Sequence, residues 1–374
     1  FLIGNHQGRT MRDQLIEAGV LPKDASETED GDLKKAWWGR YIVPLGPNTE
    51  DIIYALKNGF GIFRSRDGGN SWSFLHRSEV DYTYTLAVHP RNPDIVFSGY
   101  NPKPFQHWAM IRRSTDGGET WNTVLKVPDS KGITSVVFAP SDPQVMYAAS
   151  RGPRGEVFVS RDGGNSWNVL NEHFTMCTVW GQSQLIIDPD RPATAYIGTW
   201  LGGTWRTRDA GEHWDLLEQA PRSSTALSMD PTDKDTIYAA DRSAPKVWRT
   251  RDGGDSWEEV ADFSKDGALL VMRVAAFGGT VYASTFEPFL HGGRLYKSTD
   301  RGDHWTDITG SLGKGILDIA IDPTDPNRIF VTTNINGAYR SLDGGKTWTR
   351  LEGFPDVGAY DIEIDPNDPS SLYI

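Results

Sequence analysis

Seven aspartates in this 374-residue chain stand in one setting: Asp67, Asp116, Asp162, Asp209, Asp252, Asp300 and Asp343. Each is the third residue of an octapeptide [ST]-x-D-x-G-x-x-W, and SRDGGNSW occurs verbatim at 65–72 and 160–167. A recurring carboxylate flanked by hydroxyls and glycines could hold a cation, or it could stitch a turn. A calcium loop needs oxygen ligands at alternate positions, as in D-x-D-x-D-G. The consensus fixes only one carboxylate, without the dense oxygen ligands of such a loop, so a metal is not expected. The turn reading uses every residue type: glycine supplies positive φ, and the carboxylate and hydroxyl accept bonds from turn N–H groups. The tryptophan is a large apolar anchor.

Other residues could do chemistry through pairing. Glu287 with Asp81 or Asp129 could form the two-carboxylate arrangement that protonates and displaces a glycosidic oxygen. Aromatic and polar residues gather in the longer irregular stretches: Tyr100, His107 and Trp108 in 98–114, and Phe286, Glu287 and His291 in 284–298. Arg154, Trp200 and Arg242 sit in shorter ones. Such a set suits a sugar, a peptide or a protein surface; long loops also vary freely, and the same side chains can serve only to pack the loop down. No phosphate-binding glycine loop, Ser-His-Asp context or haem motif is present, and no cofactor is expected. The lone Cys177 lies among apolar neighbours, reads as a buried thiol, and permits no disulfide within the chain.

The elements that must position these residues follow from the repeat. The box aspartates are separated by 49, 46, 47, 43, 48 and 43 residues, the period of a propeller blade or a helical repeat. Ahead of each box lies a β-rich run, a Pro/Asp/Asn turn and a second β-rich run, as in DIAIDPTDPNRIFVTT (318–333). A third strand enters the box and the tryptophan opens a fourth, with no helical stretch between. The expected fold is all-β, a propeller of four-stranded blades over 37–374. Strand pairs begin near Tyr41, Leu86, Ser135, Leu185, Leu227, Val271, Asp318 and Asp361, which makes eight pairs against seven boxes. Seven blades are expected, or eight if the chain continues past Ile374. Residues 1–36 read as an extension, a short helical pattern followed by an acidic linker. The 39 glycines and 22 prolines fit many turns. The net charge of −12 argues against a nucleic-acid partner, and no apolar run is long enough to insert into a membrane as a helix. A periplasmic or secreted location with the signal peptide removed is the expectation.

Seven boxes on a blade period resemble the Asp-box, or BNR, repeats of bacterial neuraminidases and their relatives. The same box occurs in sialidases, xyloglucan-degrading glycosidases, sortilin-type receptors and photosystem II assembly factors. The resemblance implies a propeller with the boxes on the periphery, away from the ligand face. Sialidases also carry an Arg-Ile-Pro motif, and the nearest string here, RYIVP at 40–44, does not match it. Where the resemblance to xyloglucanases leads one to expect an early catalytic aspartate, this chain has Asn58 within YALKNGFGIFRS. These departures favour a non-catalytic binding or scaffold protein with a protein partner. The alternative is a carbohydrate-active enzyme, a glycoside hydrolase or polysaccharide lyase, acting on a polysaccharide through the loop face.

Overall fold

The computed structural model describes residues 40–373 apart from 45–51, 58–60, 68–70, 77–81, 102–107, 152–155, 171–184, 200–201, 288–291, 313–314, 335–336, 352–361 and 365–371. The expected extension 1–36 and Cys177 lie outside the described residues.

Strands follow one another in antiparallel fours. Blade one is β1 (Arg40–Pro44), β2 (Ile53–Lys57), β3 (Gly61–Ser65) and β4 (Ser73–His76). Blade two is β5 (Tyr82–His89), β6 (Asn92–Asn101), β7 (Trp108–Ser114) and β8 (Asn122–Pro128). Blade three is β9 (Gly132–Phe138), β10 (Met146–Arg151), β11 (Val157–Ser160) and β12 (Asn168–Val169). Blade four is β13 (Leu185–Ile187), β14 (Ala195–Gly198), β15 (Thr204–Thr207) and β16 (Asp215–Leu216). Blade five is β17 (Ser224–Asp230), β18 (Asp233–Asp241), β19 (Lys246–Thr250) and β20 (Glu258–Asp262). Blade six is β21 (Leu270–Phe277), β22 (Thr280–Phe286), β23 (Leu295–Ser298) and β24 (Thr306–Asp307). Blade seven is β25 (Ile316–Ile321), β26 (Ile329–Thr333), β27 (Ala338–Ser341) and β28 (Thr349–Arg350). A final pair, β29 (Glu363–Ile364) and β30 (Leu372–Tyr373), forms a two-stranded sheet among the described residues.

Each four-stranded sheet pairs its strands in sequence order, first to fourth. This is the meander that short turns between alternating apolar runs dictate. The all-β propeller of four-stranded blades is therefore the observed architecture, with seven complete blades. First strands stand beside one another around the centre, and β29 lies against β25 on one side and β1 on the other. The eighth pair thus fills the gap between blades seven and one.

The core is a series of layers between neighbouring blades rather than one central mass. Tyr147, Val157 and Val159 of blade three pack with Leu185, Ala195 and Ile197 of blade four. Tyr282 and Leu295 of blade six pack with Ile316, Ile319, Ile329 and Val331 of blade seven. The second strands carry Tyr54, Tyr147, Tyr196, Tyr238 and Tyr282 at one register position, and all are nearly fully buried. Four of the five hydroxyls donate to a carbonyl of the next blade: Tyr54 to Pro93 (2.8 Å), Tyr196 to Gly253 (2.8 Å), Tyr238 to Arg301 (2.9 Å) and Tyr282 to Pro326 (3.2 Å). A buried phenol keeps its apolar ring in the layer and satisfies its polar tip across it.

Candidate functional site

The seven boxes are turns between third and fourth strands, and each box aspartate is bonded within its own box. In the box of Asp116, the Ser114 hydroxyl donates to the carboxylate at 2.7 Å and accepts from Gly118 N at 2.7 Å. Thr120 donates to the two carboxylate oxygens from its N–H (2.9 Å) and its hydroxyl (2.5 Å). The Thr120 hydroxyl first, then its N–H and the Ser114 hydroxyl, hold the Asp116 carboxyl down to about 2. The bond from the seventh residue's N–H to the carboxylate recurs in all seven boxes. His213 and His304 take the seventh position in two boxes, and each imidazole Nδ1 lies 2.6 Å from its box carboxylate. A carboxylate this fully engaged is a staple, with little left to offer a ligand. Among the described residues no group of three His, Cys, Asp or Glu side chains is placed to hold a metal ion.

The box-bearing turns and the first hairpin of each blade share one end of the ring, so the opposite end is formed by the second-to-third connections and the passages between blades. This loop end is the candidate ligand face. Of the residues expected there, Asp81, His107, Arg154, Trp200 and His291 lie outside the described residues. Trp108, at the start of β7, is half-buried, with the Lys126 ammonium 4.8 Å from its ring centroid. Tyr100 is buried, and the Arg112 guanidinium sits 4.9 Å over its ring. Arg242 is half-buried at the end of β18 and donates its N–H to the Ser223 carbonyl. Phe286 is half-buried at the end of β22, where its carbonyl accepts from Leu269 N. Glu287 closes the next loop through a two-way backbone bridge to Gly292. Asp129 is exposed in the passage after β8, with φ 53°.

Four described carboxylates near this end, Asp241, Asp262, Asp266 and Asp307, are occupied with their own loops. Asp241 accepts from Ser243 N (2.8 Å), Ser243 Oγ (2.7 Å) and Trp248 Nε1 (3.3 Å). Asp262 accepts from Ser264 Oγ and N, and these two bonds hold its carboxyl below the usual range. Asp307 is partly desolvated, which opposes ionisation, yet bonds from Thr309 and Arg294 keep its carboxyl low. Asp266 accepts from Tyr296 Oη at 2.8 Å, and Phe263 stacks on that tyrosine at 4.0 Å.

Two features of this region had no reading in the sequence. The first strands of five blades bulge at one register position near the loop end, where Tyr84, Thr134, Thr225, Met272 and Leu317 fall between paired residues. Bulges cluster where a strand must bend or re-aim its residues. The second lies on the inner strands: Arg273 Nε is 3.3 Å from Asp318 Oδ1, and Ile362 N donates to Asp318 Oδ2 at 3.3 Å. Glu363 on β29 is exposed to solvent, and its carboxyl is close enough to Asp318 for the two charges to interact. Desolvation first, then the Asp318 charge, push its carboxyl up to about 8.

Known proteins place this geometry. Residues 155–275 match the model of the sortilin (neurotensin receptor 3) Vps10 family, and residues 339–350 match the BNR/Asp-box repeat. An oligoxyloglucan reducing end-specific xyloglucanase of Emericella nidulans is 23% identical over 329 residues, covering 79% of this chain and 37% of its own length. The solved GH74 xyloglucanase of Xanthomonas campestris superposes with TM-score 0.60 at 20% identity, over 81% of this chain and 52% of that one. A structure described as YCF48 bound to D1 peptide superposes with TM-score 0.51 at 18% identity, over 90% of this chain and 93% of that one. This chain thus spans little more than a third of the Emericella protein and about half of the Xanthomonas one. At these identities the structural likeness is one of fold. The chain is an Asp-box repeat β-propeller, the fold it shares with these xyloglucanases and with YCF48.

Proposed function

We propose that the chain is a non-catalytic binding propeller that takes an extended polypeptide segment across its loop end. The observation that carries this reading is the state of four of the described carboxylates there. A general acid for glycoside cleavage needs a raised pKa. At the loop end Asp262 and Asp307 are held low, and Asp241 and Asp266 are spent on loop hydroxyls, N–H groups and a phenol. Half-buried aromatic residues beside cations, as at Trp108 with Lys126, suit adhesion to a chain laid over the face. A solved relative of matching extent holds a peptide, which supports a polypeptide as ligand.

A second reading, a glycan-active propeller, is favoured by the alignment with a xyloglucanase over 79% of this chain. One experiment separates the two. Xyloglucan and its oligosaccharides are assayed for reducing-sugar release, while calorimetry measures binding of extended peptides and of the same glycans. Peptide binding without turnover, with amide protection mapped to 98–101, 108–112 and 241–246, supports the proposal. Turnover that disappears in Glu287→Gln would overturn it in favour of the glycosidase.

A further inference from the structure

The first strands of blades four, five and seven run into an aspartate just before a proline: Asp188, Asp230 and Asp322. Each buried carboxylate accepts from the backbone N–H two residues on, from Asp190 at 2.9 Å, Thr232 at 2.9 Å and Thr324 at 2.7 Å. In blade two the same place is taken by His89, and its imidazole Nδ1 accepts from Arg91 N at 3.1 Å. A backbone N–H can only donate, so this nitrogen carries no proton and the ring is neutral. A carboxylate goes on accepting until it is itself protonated. Against the desolvation of burial, the turn bonds of Asp230 and Asp322 keep their carboxyls below the usual range. An imidazole accepts at Nδ1 only while it is neutral.

His89 is half-buried, and its ring stands edge-on to Phe138 of blade three at 5.4 Å. The charges that act on it are cations, Arg91 of its own turn and Arg113 of β7. The carboxylates of the two adjoining turns are engaged elsewhere, Asp94 by Arg66 and Asp142 by Gln144 N. Desolvation first, then Arg91 and Arg113, push the imidazole below its usual range against the pull of its own backbone carbonyl. The turn it holds is a junction of three blades. The Pro93 carbonyl accepts from Tyr54 Oη of blade one at 2.8 Å, and Arg66 of blade one reaches Asp94 at 3.5 Å. The Asp94 carbonyl accepts from Gly117 N at 2.9 Å, which seats the box of blade two. The Arg91 guanidinium donates to the Ser141 carbonyl of blade three at 3.2 Å. A row of cations on the third strands strengthens such seams. The residue before the box Ser/Thr is a cation in six of seven blades: Arg64, Arg113, Arg206, Arg249, Lys297 and Arg340. Arg64 donates to the carbonyl of that same Gly117 at 2.6 Å, and Arg113 donates to Asn165 of blade three.

We propose that His89 is an acid-sensitive latch on the seams that join blade two to blades one and three. While the ring is neutral it holds the 89–94 turn shut. Protonation places an N–H on Nδ1, facing the Arg91 N–H, and adds a third positive charge to those of Arg91 and Arg113. The turn then opens, and the contacts at Pro93, Asp94 and Ser141 go with it. A group whose folded pKa lies below its unfolded value near 6.5 contributes stability that is complete above that value and is lost as pH falls below it. The equivalent turns of blades four, five and seven carry no such dependence in this range, because their acceptor is a carboxylate.

The test is amide exchange of the whole chain at about pH 7.5 and about pH 5, corrected for intrinsic rates. The Arg91, Asp94 and Gly117 amides are expected to exchange about fivefold faster or more at the lower pH. The Thr232 amide, held by Asp230 in the equivalent turn of blade five, should hold steady. His89→Asn keeps an acceptor at either pH and should remove the acceleration. His89→Asp supplies the acceptor of the other blades and should do the same, so that if one variant fails to fold the other decides. Slow β17–β18 amides in a variant show that it has folded. Steady Arg91 exchange, an acceleration at Thr232 equal to that at Arg91, or an acceleration that survives in a folded variant would overturn the proposal. An acceleration at Arg91 with Gly117 unmoved would overturn the part of the turn as a junction, since it would then open without the seam.

Discussion

At the scale of the residue, the box aspartate is a local device, and its energetics are those of a cap. The Asp162 carboxylate accepts from Ser160 Oγ (2.8 Å), Ser166 N (2.9 Å) and Ser166 Oγ (2.6 Å). All three donors lie within four residues, so removing the carboxylate frees one turn and touches no neighbouring layer. Asp162→Ala is expected to cost about 0.5–2 kcal/mol, the scale of a lost helix cap, measured by denaturant unfolding. Binding at the loop end should be unchanged, because the box sits at the other end of the blade. A loss of binding with intact stability would make the box a ligand site. Locality is also why this role was legible in the sequence: donors, acceptor and turn residues all fall inside one octapeptide. The ligand-face residues had no such closure. Tyr100 looks like a loop aromatic in the sequence, yet β6 carries it into a buried position under Arg112.

At the scale of the element, the box glycines do two things that can be separated. Gly164 has φ +80°, and a Cβ there would fall 2.3 Å from Phe97 Cζ of the preceding blade. Gly267, which lies outside the boxes in the turn after β20, has φ +82°, and a Cβ there would meet nothing within 4 Å. Both alanine replacements force the same left-handed backbone, at a cost of about 1 kcal/mol. Only Gly164→Ala also pushes an aromatic ring out of a packed layer, which adds about 1–3 kcal/mol. The expected order in chemical denaturation is Gly164→Ala well below Gly267→Ala, and equal losses would mean that the blade contact contributes nothing. The strand order and the four-strand meander were legible from alternation and turn chemistry. The cation row was visible as residue types, but its meaning was not. A partner about fifty residues away in sequence, as Gly117 is from Arg64, is set by how blades stack and not by any local pattern. The bulges of the first strands were illegible for a different reason. An added residue changes the register without changing the apolar and polar types around it.

At the scale of the whole molecule, the ring closes through its slightest element, and closure carries an electrostatic cost. β29 stands between β25 and β1 on two paired residues, and its Glu363 shares the inner region with Asp318. Arg273 offsets one of the two negative charges through Asp318. The Glu363 carboxyl is raised from 4.5 to about 8. A carboxyl whose folded pKa lies above its unfolded value holds a proton that the unfolded chain releases. Stability from this group is therefore undiminished below about pH 4.5 and falls as pH rises, until the folded group also ionises near pH 8. The effect should be local, because β29–β30 pair with no other described strand and can open without disturbing the seven complete blades. Amide exchange at 362–364 and 372–373, corrected for intrinsic rates, is expected to accelerate between pH 5 and 8 while the β17–β18 amides hold steady. Glu363→Gln should flatten that profile, protecting the pair most at pH 8 and changing little at pH 4.5. An unchanged profile in Glu363→Gln would place the pH response elsewhere and free this carboxylate of any part in holding the ring shut.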